Sequence, residues 1–461
     1  MIKLSDLLDV IEGEFVGDLD AAQDITFNSI STDSRSVGVG QLFIALSGEH
    51  FDAHDYLAQV KEKGACAAIV SRSVDVDLPQ ILVADTLEAL GKIGAYMASL
   101  TKARFVGLTG SCGKTTTKEM IKLVLSSEGQ VHATRGNLNN HIGVPLTLSE
   151  VSGNDDFAVI EMGASGLDEI KYTVSMADPE VVLLTNASAA HLEGFGSLEN
   201  IVQAKGEIIR YAPQTATAVL NMDDPHYHDW VGMLSGRKHL SFSHREESGA
   251  DVRLLSKQTL LPQGYQLEVD VQGNVYSVEL HVMGEHMIQN VLATLAVVKG
   301  LKLNVEQAAK NLSKFEAVKG RFCPTKTRLC TIWDDAYNAN PESVKAALTS
   351  LADTDKPRWL VLGNMAELGE LSEQAHAEMG SFAELRGFEK VYAIGAYASA
   401  VVEGKSFSGT AYKKTDKDVL ISDLKKDISV AADSELQILI KGSRSAGMDQ
   451  VVQALLEWSG D

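Results

Sequence analysis

The segment VGLTGSCGKTTTKEM, residues 106–120, decides how the rest of the chain is read. A short apolar run passes through Gly107 into Gly110, Ser111, Cys112 and Gly113. Lys114, Thr115 and Thr116 follow, and an amphipathic stretch then carries Met120, Ile121, Val124 and Leu125 on one face. A strand, a glycine-rich turn and a helix in that order make a phosphate cradle. Glycines let the backbone wrap the ligand, N–H groups point inward, the lysine reaches the outer phosphates and a hydroxyl ligates Mg²⁺. Gly110, Gly113, Lys114 and Thr115 fit those roles. The strict pattern wants a glycine where this chain has Leu108, so the match is to a shorter G-x-x-G-K-T form. The flanking strand and helix supply the context such a loop needs, with the helix dipole aimed at the phosphate.

At 461 residues, 45% of them hydrophobic, the chain is expected to divide into about three domains, each able to bury a core. Its 41 Lys and Arg against 62 Asp and Glu give a net charge of −21. That balance argues against nucleic acid or an anionic membrane as a partner, so an anionic ligand must be gathered by local backbone N–H groups, placed cations or a metal. Cys66, Cys112, Cys323 and Cys330 show neither a CxxC pair nor histidines at zinc spacing, which predicts free thiols. The start, MIKLSDLLDVIEGE, lacks a signal peptide's apolar core, and no apolar run approaches the roughly 18 residues of a membrane span. A cytoplasmic protein without membrane insertion is the expectation.

Along the chain, QLFIAL, ACAAIV and QILVAD read as strands of a small α/β domain over residues 1–84, with a hydroxyl-rich turn, STDSRSVGVG, at 31–40. Residues 85–314 alternate strands (RFVGLTG, FAVIEMG, EVVLLTN) with helical patterns, which predicts a parallel sheet covered on both faces. Within them, residues 250–283 alternate apolar and polar residues around turns at Pro262–Gly264 and Gln272–Asn274, the pattern of an antiparallel insert. Residues 315–461 repeat the α/β pattern with TIWDDAY, RWLVLGN, KVYAIG and LQILIKG, and their first helix should start at Asn340–Pro341. Glu161, at the end of FAVIEMG, stands at the carboxyl edge where α/β sheets place ligand groups. A buried glutamate there has a physical reason if it meets a metal. His191 follows another strand end, a position from which a side chain could reach the same crevice.

These segments, together with GNLNNHIGVPLTL, EMGAS, TNASAAHLEGFGS, AKGEI, GEHMIQN, KGR and DDAYNANPES in that order, resemble the Mur ligase family of ATP-dependent amide-bond formers over nearly the whole chain. The resemblance implies three domains: a UDP-sugar-binding N-terminal domain, a central ATP-binding P-loop domain and a C-terminal Rossmann-like α/β domain. Its most specific segments imply that D-alanyl-D-alanine is joined to a UDP-N-acetylmuramoyl-tripeptide, through an acyl phosphate, in cytoplasmic peptidoglycan precursor synthesis by a monomer. It also implies that Lys114 and the backbone of 110–116 hold the ATP phosphates, and that Thr115 and Glu161 bind one Mg²⁺. His191, Glu161 and a carbamylated Lys205 would hold a second cation. Carbamylation turns an ammonium that repels magnesium into an anionic oxygen donor.

By the same resemblance Asn290, Asp335 and Tyr337 contact the nucleoside and Arg321 reaches the phosphates. Ser31, Thr32 and Arg35 meet the uridine diphosphate end, Asn137, Asn139 and Asn140 the sugar-peptide approach, and Asn186 is a further substrate-binding residue. Cys112 departs from the polar residue usual at its position. Its place at a helix N-terminus makes it a candidate reactive cysteine. Four other readings stand beside this one. A sister ligase adding a diamino acid would carry a DNPR run, absent here, and a folate-type ligase would add glutamate. A phosphate-loop switch gives no reason for two further α/β domains. A nicotinamide dehydrogenase would need GxGxxG after a strand, which none of the three units has.

Overall fold

The computed structural model describes residues 1–16, 24–188, 192–260, 264–352, 356–431 and 435–459. Three main sheets follow one another along the chain. The first has five strands in the order Glu14–Val16, Gln80–Leu82, Ala67–Val70, Gln41–Ile44, Ser29–Ser31, parallel except where the first pairs with the second. QLFIAL, ACAAIV and QILVAD supply three of them, as expected.

The second sheet has nine strands. Its parallel part runs Val131–Ala133, Phe157–Glu161, Arg104–Thr109, Val181–Leu184, Thr217–Asn221, His239–Ser243, Val252–Thr259. Tyr265–Val271 and Asn274–Leu280 then extend it antiparallel, which is the expected insert. Gln272 and Gly273, at φ of 50° and 86°, make its second turn. Of the first turn, only Gly264 lies within the described residues. Strand Arg104–Thr109 is the topological switch: the chain leaves it to build two strands on one side and then crosses to Val181–Leu184 on the other. Ligands collect outside the carboxyl ends at such a point.

The third sheet has six strands, in the order Cys323–Lys326, Thr331–Asp335, Gln437–Lys441, Arg358–Gly363, Lys390–Ile394, Ser408–Tyr412, all parallel after the first pair. Its first helix, Pro341–Ala352, begins as the sequence predicts. Asn340 Oδ1 accepts the Ser343 N–H at 2.8 Å, and proline takes the first helical position.

Two junctions join the units. Helix Thr86–Ser99, capped by Asp85, starts just past the boundary expected at residue 84 and packs Ala89, Leu90, Ile93 and Met97 into the N-terminal core. Its other face is made of Gly91 and Gly94, so close to the central unit that an added Cβ would sit 2.1 Å from Tyr172 Oη and 2.7 Å from the Pro145 carbonyl oxygen. The C-terminal unit instead meets the central one across a cleft. At its back Phe322 lies edge-on to His286 at 5.7 Å and against Trp333 at 4.7 Å, within one apolar cluster that runs on to Val291 and Leu295.

Candidate active site

The cleft holds a cavity of about 1030 Å³, lined from the central unit by Ser111–Thr116, Glu161 and Lys205 and from the C-terminal unit by Arg321, Asp335 and Tyr337. The glycine-rich loop connects Thr109 to helix Lys114–Leu125. Gly113 adopts φ 80°, and a Cβ there would lie 2.9 Å from Asn290 Oδ1; at Gly110 it would lie 1.9 Å from Thr185 Oγ1. Only glycine gives both the conformation and the room.

The loop is tied to the end of strand Val181–Leu184. Cys112 N–H donates to Asn186 Oδ1 at 2.8 Å, Asn186 Nδ2 returns a bond to the Cys112 carbonyl at 3.2 Å, and Thr185 Oγ1 donates to the same carbonyl at 2.8 Å. Asn186, expected to bind substrate, therefore has both ends of its amide on the loop. Ser111 Oγ exchanges bonds with Ser188, and the Ala187 N–H is accepted by Asp224 at 2.9 Å. Burial pushes the Asp224 carboxyl up from its ordinary range. Lys114 Nζ donates to the Gly110 and Ser111 carbonyls; desolvation lowers its pKa, and Glu161 opposes that shift. Thr116 is buried under the loop, and Thr117 Oγ1 donates to Asn290 Oδ1 at 3.1 Å.

Glu161 is 2% exposed at the end of its strand. Its Oε2 accepts the Thr115 hydroxyl at 2.9 Å and its Oε1 accepts Asn139 Nδ2 at 2.8 Å. Asn139 thus orients a carboxylate as well as lining the cavity. Asn140 Oδ1 accepts the Gly143 N–H at 2.8 Å at the start of helix Gly143–Ser149, and Asn137 lines the cavity beside it. Lys205 sits on the buried face of helix Leu198–Arg210, 2% exposed, with Nζ 3.4 Å from the Ala164 carbonyl and 5.3 Å from the Phe195 ring centre. Burial first, then the neighbouring Lys114 charge, lowers its pKa to about 7. His191 lies outside the described residues.

Across the cleft, Arg321 Nη2 donates to Thr115 Oγ1 at 2.9 Å, with its guanidinium 4.1 Å from the Tyr337 ring centre. Asp335 and Lys441 end adjacent strands in register, and Lys441 Nζ donates to Asp335 Oδ2 at 2.5 Å and to the Asn338 carbonyl at 3.0 Å. Burial raises the Asp335 pKa against the pull of Lys441. Asn340 Nδ2 reaches Cys112 Sγ at 3.4 Å. The structure thus gathers Glu161, Lys205, Asn290, Arg321, Asp335, Tyr337 and the loop around one space.

Ser31, Thr32 and Arg35 are placed elsewhere, at the end of strand Ser29–Ser31 and in the turn that follows it in the N-terminal unit. Arg35 is mostly exposed and ion-paired at 2.8 Å to Asp33, whose carboxyl it holds down to about 2. Sequence reasoning missed Asp224 and Lys441. Their signal was a charged residue just after or at the end of an apolar strand, TAVLNMDD and LQILIKG, the same signal that singled out Glu161.

Comparison with known proteins agrees over the full length. Residues 26–96 match the Mur ligase family catalytic domain, 108–298 the Mur ligase middle domain and 320–444 the Mur ligase glutamate ligase domain. The UDP-N-acetylmuramoyl-tripeptide–D-alanyl-D-alanine ligase of Escherichia coli (strain K12) is 39% identical over 461 residues, covering 99% of this chain and 98% of its own. That of Bacillus subtilis (strain 168) is 34% identical, with 93% of each chain covered. A crystal structure of MurF from Acinetobacter baumannii superposes with a TM-score of 0.91 at 33% identity over 98% of both chains. MurF ligase from Thermotoga maritima, in complex with ADP, does so with 0.83 at 29% identity over 94% of this chain and 98% of its own.

Proposed function

The chain belongs to the Mur ligase family, and from that premise we propose that it joins D-alanyl-D-alanine to a UDP-N-acetylmuramoyl-tripeptide using ATP. The observation that carries this is the meeting, in one cleft, of a phosphate loop, the buried Glu161 and Lys205, and Arg321 from the opposite unit. Its relatives of matching length are named for that reaction.

A carboxylate is a poor acyl donor, so the tripeptide's terminal carboxylate takes the γ-phosphoryl group of ATP. The amine of D-alanyl-D-alanine then attacks the acyl phosphate, releasing phosphate as the amide C–N bond forms. Two anions must approach each other, and this chain supplies the opposing charge. Lys114 and the loop N–H groups take the phosphates, and Arg321 reaches the same point from across the cleft. Catalysis of this kind is mostly positioning and electrostatic stabilisation. Closure of the cleft keeps water from the activated acyl group.

Mg²⁺ prefers one or two hard oxygens of the protein and completes its shell with phosphates and waters. Thr115 and Glu161 offer such a pair: a buried carboxylate whose hydrogen-bond partners are a hydroxyl and an amide. We assign them to one divalent cation, which when bound would neutralise the phosphate oxygens. Lys205 suits carbamylation because its amine, held near 7, is largely neutral and nucleophilic toward CO₂ just above that pH. With His191 it would serve a second cation.

Ser31, Thr32 and Arg35 are assigned to the uridine diphosphate end, and Asn290, Asp335 and Tyr337 to the nucleoside. No helix among the described residues is long and apolar enough to cross a membrane. We place the protein in the cytoplasm as a monomer. Purified chain with ATP, Mg²⁺ and UDP-N-acetylmuramoyl-tripeptide is expected to release ADP with D-alanyl-D-alanine and not with diaminopimelate, lysine or glutamate. Release with another acceptor, or with none, overturns the assignment.

A further inference from the structure

Lys118 lies one turn beyond Lys114 on helix Lys114–Leu125 and is 2% exposed, yet it is not among the residues lining the cavity. A buried ammonium is costly unless its bonds are well made. Lys118 Nζ donates to the Thr134 carbonyl at 2.5 Å and pairs with Glu119 at 2.9 Å. Thr134 follows strand Val131–Ala133, and its Oγ1 accepts the main-chain N–H of Glu161 at 2.9 Å. Five residues further on, Asn139 holds Oε1 of the same glutamate. The segment that Lys118 grips therefore holds Glu161 twice, at the backbone and at the carboxylate. Thr115, which holds the other oxygen, rides on the helix that carries Lys118.

We propose that Lys118 is a positioning residue for the divalent-cation site, setting the spacing of Thr115 and Glu161 by clamping residues 134–139 to the phosphate-loop helix. This rests on the assignment of Thr115 and Glu161 to the cation. Releasing the clamp lets Glu161 shift as a unit with Thr134 and Asn139. Groups that orient metal ligands from behind typically contribute about 10- to 100-fold in metal affinity.

The test measures ADP binding by calorimetry, with the full-length chain, over a Mg²⁺ series and in EDTA. Lys118→Met and the shape-conserving Thr134→Val are expected to raise the Mg²⁺ concentration for half-maximal effect by about 10-fold or more, with affinity in EDTA unchanged. Lys122→Met, an exposed lysine one turn on, is the control and should not move it. A half-effect concentration unchanged in both variants overturns the proposal, because a merely structural lysine would alter stability without touching the Mg²⁺ dependence. If Lys118→Met does not fold, Thr134→Val decides alone. Glu161→Gln separates the two readings. If it leaves the Mg²⁺ dependence intact, the cation assignment fails and this inference with it. If it shifts the dependence while Lys118→Met and Thr134→Val do not, only the positioning role fails.

Discussion

Replacing Lys441 by methionine tests whether the Asp335–Lys441 pair is the brace it looks like. Lys441 is 2% exposed at its side chain and Asp335 14%, and their strands end side by side. Methionine fills most of the lysine's volume but leaves Asp335 Oδ2 and the Asn338 carbonyl without the ammonium. The Phe322 N–H at 3.1 Å remains on the other carboxylate oxygen. Removing one partner of a buried pair costs about 3–5 kcal/mol, chiefly for the charge left behind. Neutralising that charge as well should recover much of the loss, so Lys441→Met with Asp335→Asn is expected to be more stable than the sum of the single changes by about 1–3 kcal/mol.

Urea unfolding followed by tryptophan fluorescence suits the measurement. Three of the chain's four tryptophans, Trp333, Trp359 and Trp458, lie in the C-terminal unit. The transition they report is fitted alone, since three domains need not unfold together. A loss under about 1 kcal/mol for Lys441→Met, or strict additivity in the double variant, refutes the reasoning.

Lys114→Ala is expected to lower ligation about 10²- to 10³-fold with the circular dichroism spectrum intact; near-normal turnover would remove the loop from the chemistry. With Lys205 uncarbamylated, its folded pKa lies near 7, below the ordinary 10.5, so the fold disfavours its ammonium. That penalty is complete below pH 7 and shrinks as pH rises toward 10.5, where the unfolded chain also loses its proton. Lys205→Met should therefore raise the melting temperature more at about pH 6.5 than at about pH 9, while ligation is lost; a pH-independent difference in scanning calorimetry contradicts the shift. Alkylating Cys112 puts bulk between the phosphate loop and Asn340, 3.4 Å away. Activity in the acceptor assay should collapse, and full activity after complete modification, checked by mass spectrometry, would show that the two units need not close so tightly.

The parts of the fold legible in the sequence were those written in local pattern. RFVGLTG, FAVIEMG and EVVLLTN are apolar runs bounded by polar turns, and each became a strand of the central parallel sheet. Asn340 followed by proline announced a helix start that a capping bond then made. The phosphate loop was readable because glycine spacing and a lysine are fixed by the ligand rather than by distant packing. What could not be read was the buried polar framework. Lys118 sits in an amphipathic helix and looks like a solvated residue, because its partner Thr134 is 16 residues away across a strand pairing that local pattern does not encode. Asn186 and Asn139 looked like binding residues and also serve the loop and Glu161. An amide's donors and acceptors announce hydrogen bonding without saying to what.

The paired glycines of helix Thr86–Ser99 leave no gap where the N-terminal sheet meets the central one, so those two thirds of the molecule should travel as a single block. For a chemist designing a bivalent inhibitor, a linker from the N-terminal sheet to the phosphate loop would span a fixed length and could be made stiff. One reaching to Arg321 would have to tolerate whatever change of span the proposed closure of the cleft brings.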